Sequence, residues 1–313
     1  MASRFSCPRL VIAFVGAFAI SPATLNAALL LNYGFNDAPG AATAAATGSA
    51  AGTAPALGIV SPAVIGANGT GVSGVASDRA LNNAAATSMG GTVNSSGGRG
   101  THAADFDTID GLLKFTVSGW FKTDSTATLG GNAILVANRS GVAGFDLHGD
   151  PNVPGNLILA VDNGSNSSAG FGTTQQWVNF AVTYDGTILQ PGPNVFFYAG
   201  GINAPLTLVG SGTNTNGAGN DPASDETMPL SIGSRVLFGT TDADPFDGLL
   251  DNIRIWDDVQ PLANLQSLRL SDVGAVPEPA SALLLTFAVA SCLFCFGGRI
   301  RSNNHGDADS TDT

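Results

Sequence analysis

The stretch Lys114–Lys122, KFTVSGWFK, sets Phe115, Val117, Gly119 and Phe121 on one face and Lys114, Thr116, Ser118, Trp120 and Lys122 on the other. That period of two is the signature of a half-buried strand. Trp177–Tyr184, WVNFAVTY, repeats it with Val178, Phe180, Val182 and Tyr184 inward, and Asp185-Gly186 closes the run as a turn. Asn156–Val161 is a continuous apolar run. Leu57–Val60, Ala80–Leu81, Ala133–Ala137, Gly144–His148, Asn194–Tyr198, Leu206–Val209, Pro229–Ile232 and Leu249–Trp256 supply further short strands, and only Leu262–Leu270 reads as a helix. Many short strands punctuated by Gly, Asn and Pro predict an all-β antiparallel sandwich or jelly roll. Phe115, Val117, Phe121, Val178, Phe180, Val182, Ile253 and Ile255 are its expected core.

Composition supports this reading. Charged residues make up 12% of the chain, and Gly is 41 of 313 residues, while Lys114, Lys122, Glu226 and Glu278 are the only residues of their types. A coiled coil or helical bundle is therefore excluded. The net charge of −12 argues against a nucleic-acid partner, because phosphate binding needs a basic face. Residues 38–101 are rich in Ala, Gly, Thr and Ser and hold no aromatic residue, so long loops with a few strands are expected there.

The ends carry their own signals. Arg4 and Arg9 precede the uncharged run Leu10–Ile20, and Pro22 and Ala27 follow. A basic region, a short apolar core and a small residue before the cut predict a secretory signal peptide over 1–27. At the other end, Pro277, Glu278 and Pro279 precede an uncharged stretch from Ala280 to Gly298, with Arg299 and Arg301 directly behind it. As a helix this stretch spans about 28 Å, near the thickness of a bilayer's hydrocarbon core. The arginines would stay cytoplasmic. The order of motif, apolar helix and arginines resembles the PEP-CTERM sorting signal. The resemblance implies export, a transient membrane anchor over 273–313 and an exosortase-type processing enzyme as partner. Cys7, Cys292 and Cys295 all lie in these ends, so the domain between them has neither a disulfide nor a zinc–thiolate site.

Between the ends, FTVSGWFKT, WVNFAVTYDGT, VFFYAGG, PLSIGSR and FDGLLDNIRIWDDVQPLANLQSL occur in that order, opened by LLNYGFND. This series resembles the laminin G-type, concanavalin A-like jelly roll, with Asn252 standing where an acidic residue is common. The resemblance implies a single domain over 28–272 whose first and last strands are neighbours. It also implies a non-catalytic binding module for carbohydrate or protein at the cell surface or in the extracellular matrix. A purely structural surface protein and a glycan hydrolase are the alternatives.

Little in the sequence supports catalysis. Glucanases of this fold use paired glutamates, and the exported chain has only Glu226 and Glu278, the latter inside the sorting motif. No nucleophile elbow, phosphate-binding loop or dinucleotide fingerprint occurs. Asp242, Asp244, Asp247 and Asp251 crowd one stretch of chain. If the first and last strands are adjacent, Asn36 and Asp37 approach Asp247 and Asp251, a set of oxygens that suits calcium; solvated turns are the alternative. Trp120, Trp177 and Trp256 all fall opposite the apolar face of their strands. They are either a sugar-stacking platform or a second packed face.

Overall fold

The computed structural model describes residues 27–83, 98–124, 129, 131–140, 143–162, 164–172, 175–188, 192–214, 228–236 and 242–274. Residues 1–26 of the expected leader 1–27, and the expected sorting motif with Pro277, Glu278, Pro279, Arg299 and Arg301, lie outside them. Among the described residues, no helix is long and apolar enough to cross a membrane.

The strands are β1 (Leu29–Tyr33), β2 (Thr43–Ala44), β3 (Leu57–Val60), β4 (Val64–Ile65), β5 (Leu81–Asn82), β6 (Arg99–His102), β7 (Lys114–Thr123), β8 (Ile134–Ser140) and β9 (Ala143–Gly149). They continue as β10 (Leu157–Val161), β11 (Gly164–Ser168), β12 (Val178–Asp185), β13 (Val195–Gly201), β14 (Thr207–Gly212), β15 (Ser231–Ile232), β16 (Arg235–Val236), β17 (Asp242–Ala243) and β18 (Gly248–Trp256). One helix, α1 (Leu262–Asp272), follows. One sheet runs β14-β13-β12-β7-β18-β5-β4, with β1 also on β18; the other runs β11-β10-β9-β8-β15-β6-β3-β2. Every pairing is antiparallel, and the first strand lies beside the last, with Tyr33 opposite Ile253. The expected antiparallel sandwich is the fold observed.

All eight expected core residues are buried between the sheets, joined from the second sheet by Phe145, Leu147, Leu157 and Leu159. Phe115 meets Phe145 across the gap at 4.8 Å between ring centres. The Ala/Gly-rich stretch does more than loop. Among its described residues it supplies strands to both sheets, because backbone pairing needs no large side chains. β11, GSNSS, carries no apolar residue to mark it, yet it pairs with β10 along its whole length.

The outer face of the first sheet is covered. Helix α1 buries Leu265 against Ala181 and Leu206, with Tyr198 packed alongside. Trp120 is 0% exposed beneath this layer, and its indole N–H donates to Asp272. Asp272 also accepts from Arg254 Nη1 at 2.8 Å and Nη2 at 2.5 Å. On one side of the sandwich the terminal strands β11 and β14 meet. Gly210 lies against Ser168 and Gly212 against Asn166, and neither position has room for a Cβ.

Candidate functional site

Trp177 stands at the mouth of β12. The register that pairs Val178 with Phe121 puts it beside Lys122 at the end of β7. Of the three tryptophans it alone is partly exposed: Trp120 is sealed under α1 and Trp256 is 4% exposed. Of the two readings of these rings, the packed face describes Trp120 and Trp256, and a platform is left with Trp177 alone. Strand parity gives the face of a residue, but α1 sits on that face and leaves a single ring open.

The Trp177 ring borders two adjoining cavities. The larger, about 650 Å³, is lined by Lys122, Gln175, Gln176, Ile202 and Asn203 among others. The smaller, about 390 Å³, is walled by Gly170, Val178, Ala199, Pro205 and Val209. Its surroundings are built in advance. Arg269 of α1 donates to the carbonyls of Gly201 and Ile202 at 2.6 and 2.8 Å, fixing the turn that forms one wall. Gln175 adopts φ +53°, with its N–H on Thr123 Oγ1 and its amide on the Asp124 carbonyl. An aromatic ring ringed by amide side chains has the makings of a sugar site: the ring offers a flat apolar face, and the amides donate to and accept from hydroxyls. The parity of Trp177 and Lys122 was visible in the sequence. The contribution of Gln175, Ile202 and Asn203 was not, because it depends on a turn held from a distant helix.

The four residues expected to hold calcium do not form one set. Asn36 Oδ1 accepts from the Arg79 N–H and Asp37 Oδ2 from the Ala45 N–H, at 2.8 and 3.0 Å. Asp247 lies beside Asp124, and burial first, then that neighbour, raises its pKa. Asp251 is 0% exposed; its Oδ2 accepts from the Val72 N–H at 2.9 Å, while Oδ1 has no hydrogen-bond partner. Burial, and after it Asp78 and Asp272, pushes the Asp251 carboxyl well above the ordinary range. Asn36, Asp78, Asn252 and Asp272 line one cavity of about 340 Å³. Asp251 does not reach that cavity; its neighbours are Val72, Asp78 and Asp272, so the adjacency of β1 and β18 does not bring the four residues together.

Two further groups went unnoticed in the sequence. Asp105, Asp107 and Asp110 bring three carboxylates within 4.8 Å of one another, the one such group among the described residues. Burial, reinforced by Asp105 and Asp107, raises Asp110 to about 6, against the opposing effect of the Asn138 amide that donates to it. Deep between the sheets, Tyr33 Oη and His102 Nε2 lie 2.5 Å apart. Burial pushes His102 down to about 4 and raises Tyr33.

A family profile described as the concanavalin A-like lectin/glucanases superfamily matches residues 96–264, more than half of the chain. Among solved structures, the chain is similar to domain 4 of AbnA, a GH43 extracellular arabinanase from Geobacillus stearothermophilus in complex with arabinotriose. The identity is 15%, the TM-score 0.50, and the match covers 78% of this chain and 99% of that one. It is also similar to botulinum neurotoxin type C, described with two ganglioside molecules, at 9% identity and TM-score 0.49, covering 79% and 51%. A third similarity is to the CBM40 of the Ruminococcus gnavus IT-sialidase bound to α2,3-sialyllactose, at 16% identity and TM-score 0.40, covering 52% and 85%. No curated protein sequence matches the chain.

Proposed function

The chain belongs to the concanavalin A-like lectin/glucanases superfamily, and from that premise we propose that it is a non-catalytic carbohydrate-binding module of an exported bacterial protein. The observation that carries this reading is the partly exposed Trp177, set between two preformed cavities and amide side chains. Support comes from domain 4 of the arabinanase, which shares the fold and was solved with arabinotriose. The scarcity of glutamate supports a binding role over hydrolysis, since Glu226 is the only one outside the sorting motif.

Calcium is the second ligand we propose, centred on Asp251. A fully buried carboxylate whose Oδ1 has no hydrogen-bond partner, with Asp78 and Asp272 as acidic neighbours, is the observation that supports a cation here. The ion would supply charge compensation. Asn36, Asp37 and Asp247 leave this reading.

Export through the leader 1–27 and sorting through 273–313 complete the proposal. They place the domain over 28–272 at the cell surface or in the extracellular matrix, with an exosortase-type enzyme as processing partner. Their support is the Pro277–Glu278–Pro279 motif before an apolar stretch and Arg299 and Arg301.

Calorimetric titration of the purified protein with a panel of oligosaccharides including arabinotriose tests the central reading. Binding that vanishes in Trp177→Ala supports it. No binding to any member leaves a structural surface protein, and turnover of any member leaves a hydrolase.

A further inference from the structure

Lys122 is the one cation bordering the Trp177 groove, and it forms no ion pair among the described residues. Its situation is unusual in this chain. Lys114 sits 3.4 Å from Asp185, Arg139 3.0 Å from Asp146, and Arg235 and Arg254 each 2.5 Å from a carboxylate. Arg79 and Arg269 are taken up by carbonyl and amide oxygens, and Arg99 is likewise engaged. Every other described lysine and arginine therefore has a partner inside the protein. Lys122 instead shares its cavity with Trp177, Gln175, Gln176 and Asn203, none of which carries a charge.

We propose that the groove takes an acidic glycan, one whose sugar rings bear carboxylate or sulfate groups, with the Lys122 ammonium as the partner of that charge. This rests on the glycan-binding reading of Trp177 above. The ring at the cavity edge stacks on one sugar, the amides meet its hydroxyls, and the ammonium selects the rings that carry a negative group. A charge-assisted hydrogen bond of this kind is roughly twice as strong as one between neutral groups. The overall charge of −12 does not oppose it. At physiological ionic strength, charges more than about 8 Å away are largely screened, and no carboxylate lines the cavity that Lys122 borders.

Titration calorimetry on the purified protein tests this with three probes: tetragalacturonate, the same tetrasaccharide as its neutral methyl ester, and a sulfated carrageenan tetrasaccharide. The expected result is that at least one acidic probe binds about tenfold or more tightly than the methyl ester, with affinity falling as salt rises. The two acidic arms separate carboxylate from sulfate recognition. Lys122→Met is expected to abolish the preference and Lys122→Arg to retain most of it, both keeping the melting temperature of the unaltered protein. Equal binding of acidic and neutral probes, still lost in Trp177→Ala, overturns the charge inference and leaves the glycan reading standing. A preference for the acidic probes that persists in Lys122→Met overturns it as well. Binding by every probe that ignores Trp177→Ala overturns the glycan reading of the groove itself.

Discussion

The indole N–H of Trp120 donates to Asp272 Oδ2 across 2.8 Å, tying the middle strand of a sheet to the last residue of the helix that covers it. The same carboxylate takes two hydrogen bonds from Arg254. Removing it strands a buried guanidinium, so Asp272→Ala is expected to cost about 3–5 kcal/mol. Trp120→Phe keeps most of the ring and removes one donor, for a cost of about 1–3 kcal/mol. Urea midpoints measure both. A loss under about 1 kcal/mol for Asp272→Ala would mean that the helix does not depend on this contact.

The pH dependence of stability carries two opposed contributions. Asp110 is raised in the folded protein from 3.8 to about 6, so between those values the native state holds its proton more tightly. Its contribution is present at the acid end and lost as pH rises through about 6. His102 is lowered from 6.5 to about 4. Its contribution is present above 6.5 and lost as pH falls toward 4. Asp110→Asn is therefore expected to gain on the unaltered protein as pH rises from 4 to 7. His102→Asn, whatever its absolute cost, is expected to gain as pH falls across the same range. Profiles parallel to that of the unaltered protein, in denaturant titrations at each pH, would contradict these assignments.

Calcium provides a separate test at Asp251. A ligand that binds only the native state raises stability by about 2.7 kcal/mol at a hundredfold excess over its Kd. The unaltered protein and Asp247→Asn are expected to melt higher in calcium than in chelator at fixed ionic strength. Asp251→Asn should show no such difference. In chelator it should match or exceed the unaltered protein, because an amide in that position removes a buried carboxylate. Identical melting of the unaltered protein in calcium and chelator would sink the cation proposal.

The strands that face the core announced themselves. In β7, β12 and β18 the side that faces the opposite sheet carries the large apolar residues, so their period of two is written into the sequence, although both faces of these strands are buried, not one as the alternation predicts. β11 is held by its backbone ladder to β10, and no apolar period marks such a strand. The same distinction governs the site. Parity put Trp120 and Trp177 on one face, but only the docking of α1 decides which ring meets solvent. The Asp-rich stretch before β18 was plain in the sequence. Whether its carboxylates meet depends on a bulge between Asp251 and Arg254 and on a loop that brings Val72 to Asp251, neither of which composition reveals.

The contact between β11 and β14 has a consequence for crowding. A terminal strand normally offers a row of open N–H and C=O groups on which another molecule can add its own strand, the first step toward fibres. Here the terminal strands of the two sheets lie against each other, and Gly210 and Gly212 leave the room that Ser168 and Asn166 fill. Neither strand carries a charge to ward off neighbours. On this side of the sandwich a side chain at Gly210 or Gly212 would push the two terminal strands apart and part the sheets at the edge where no charge guards them.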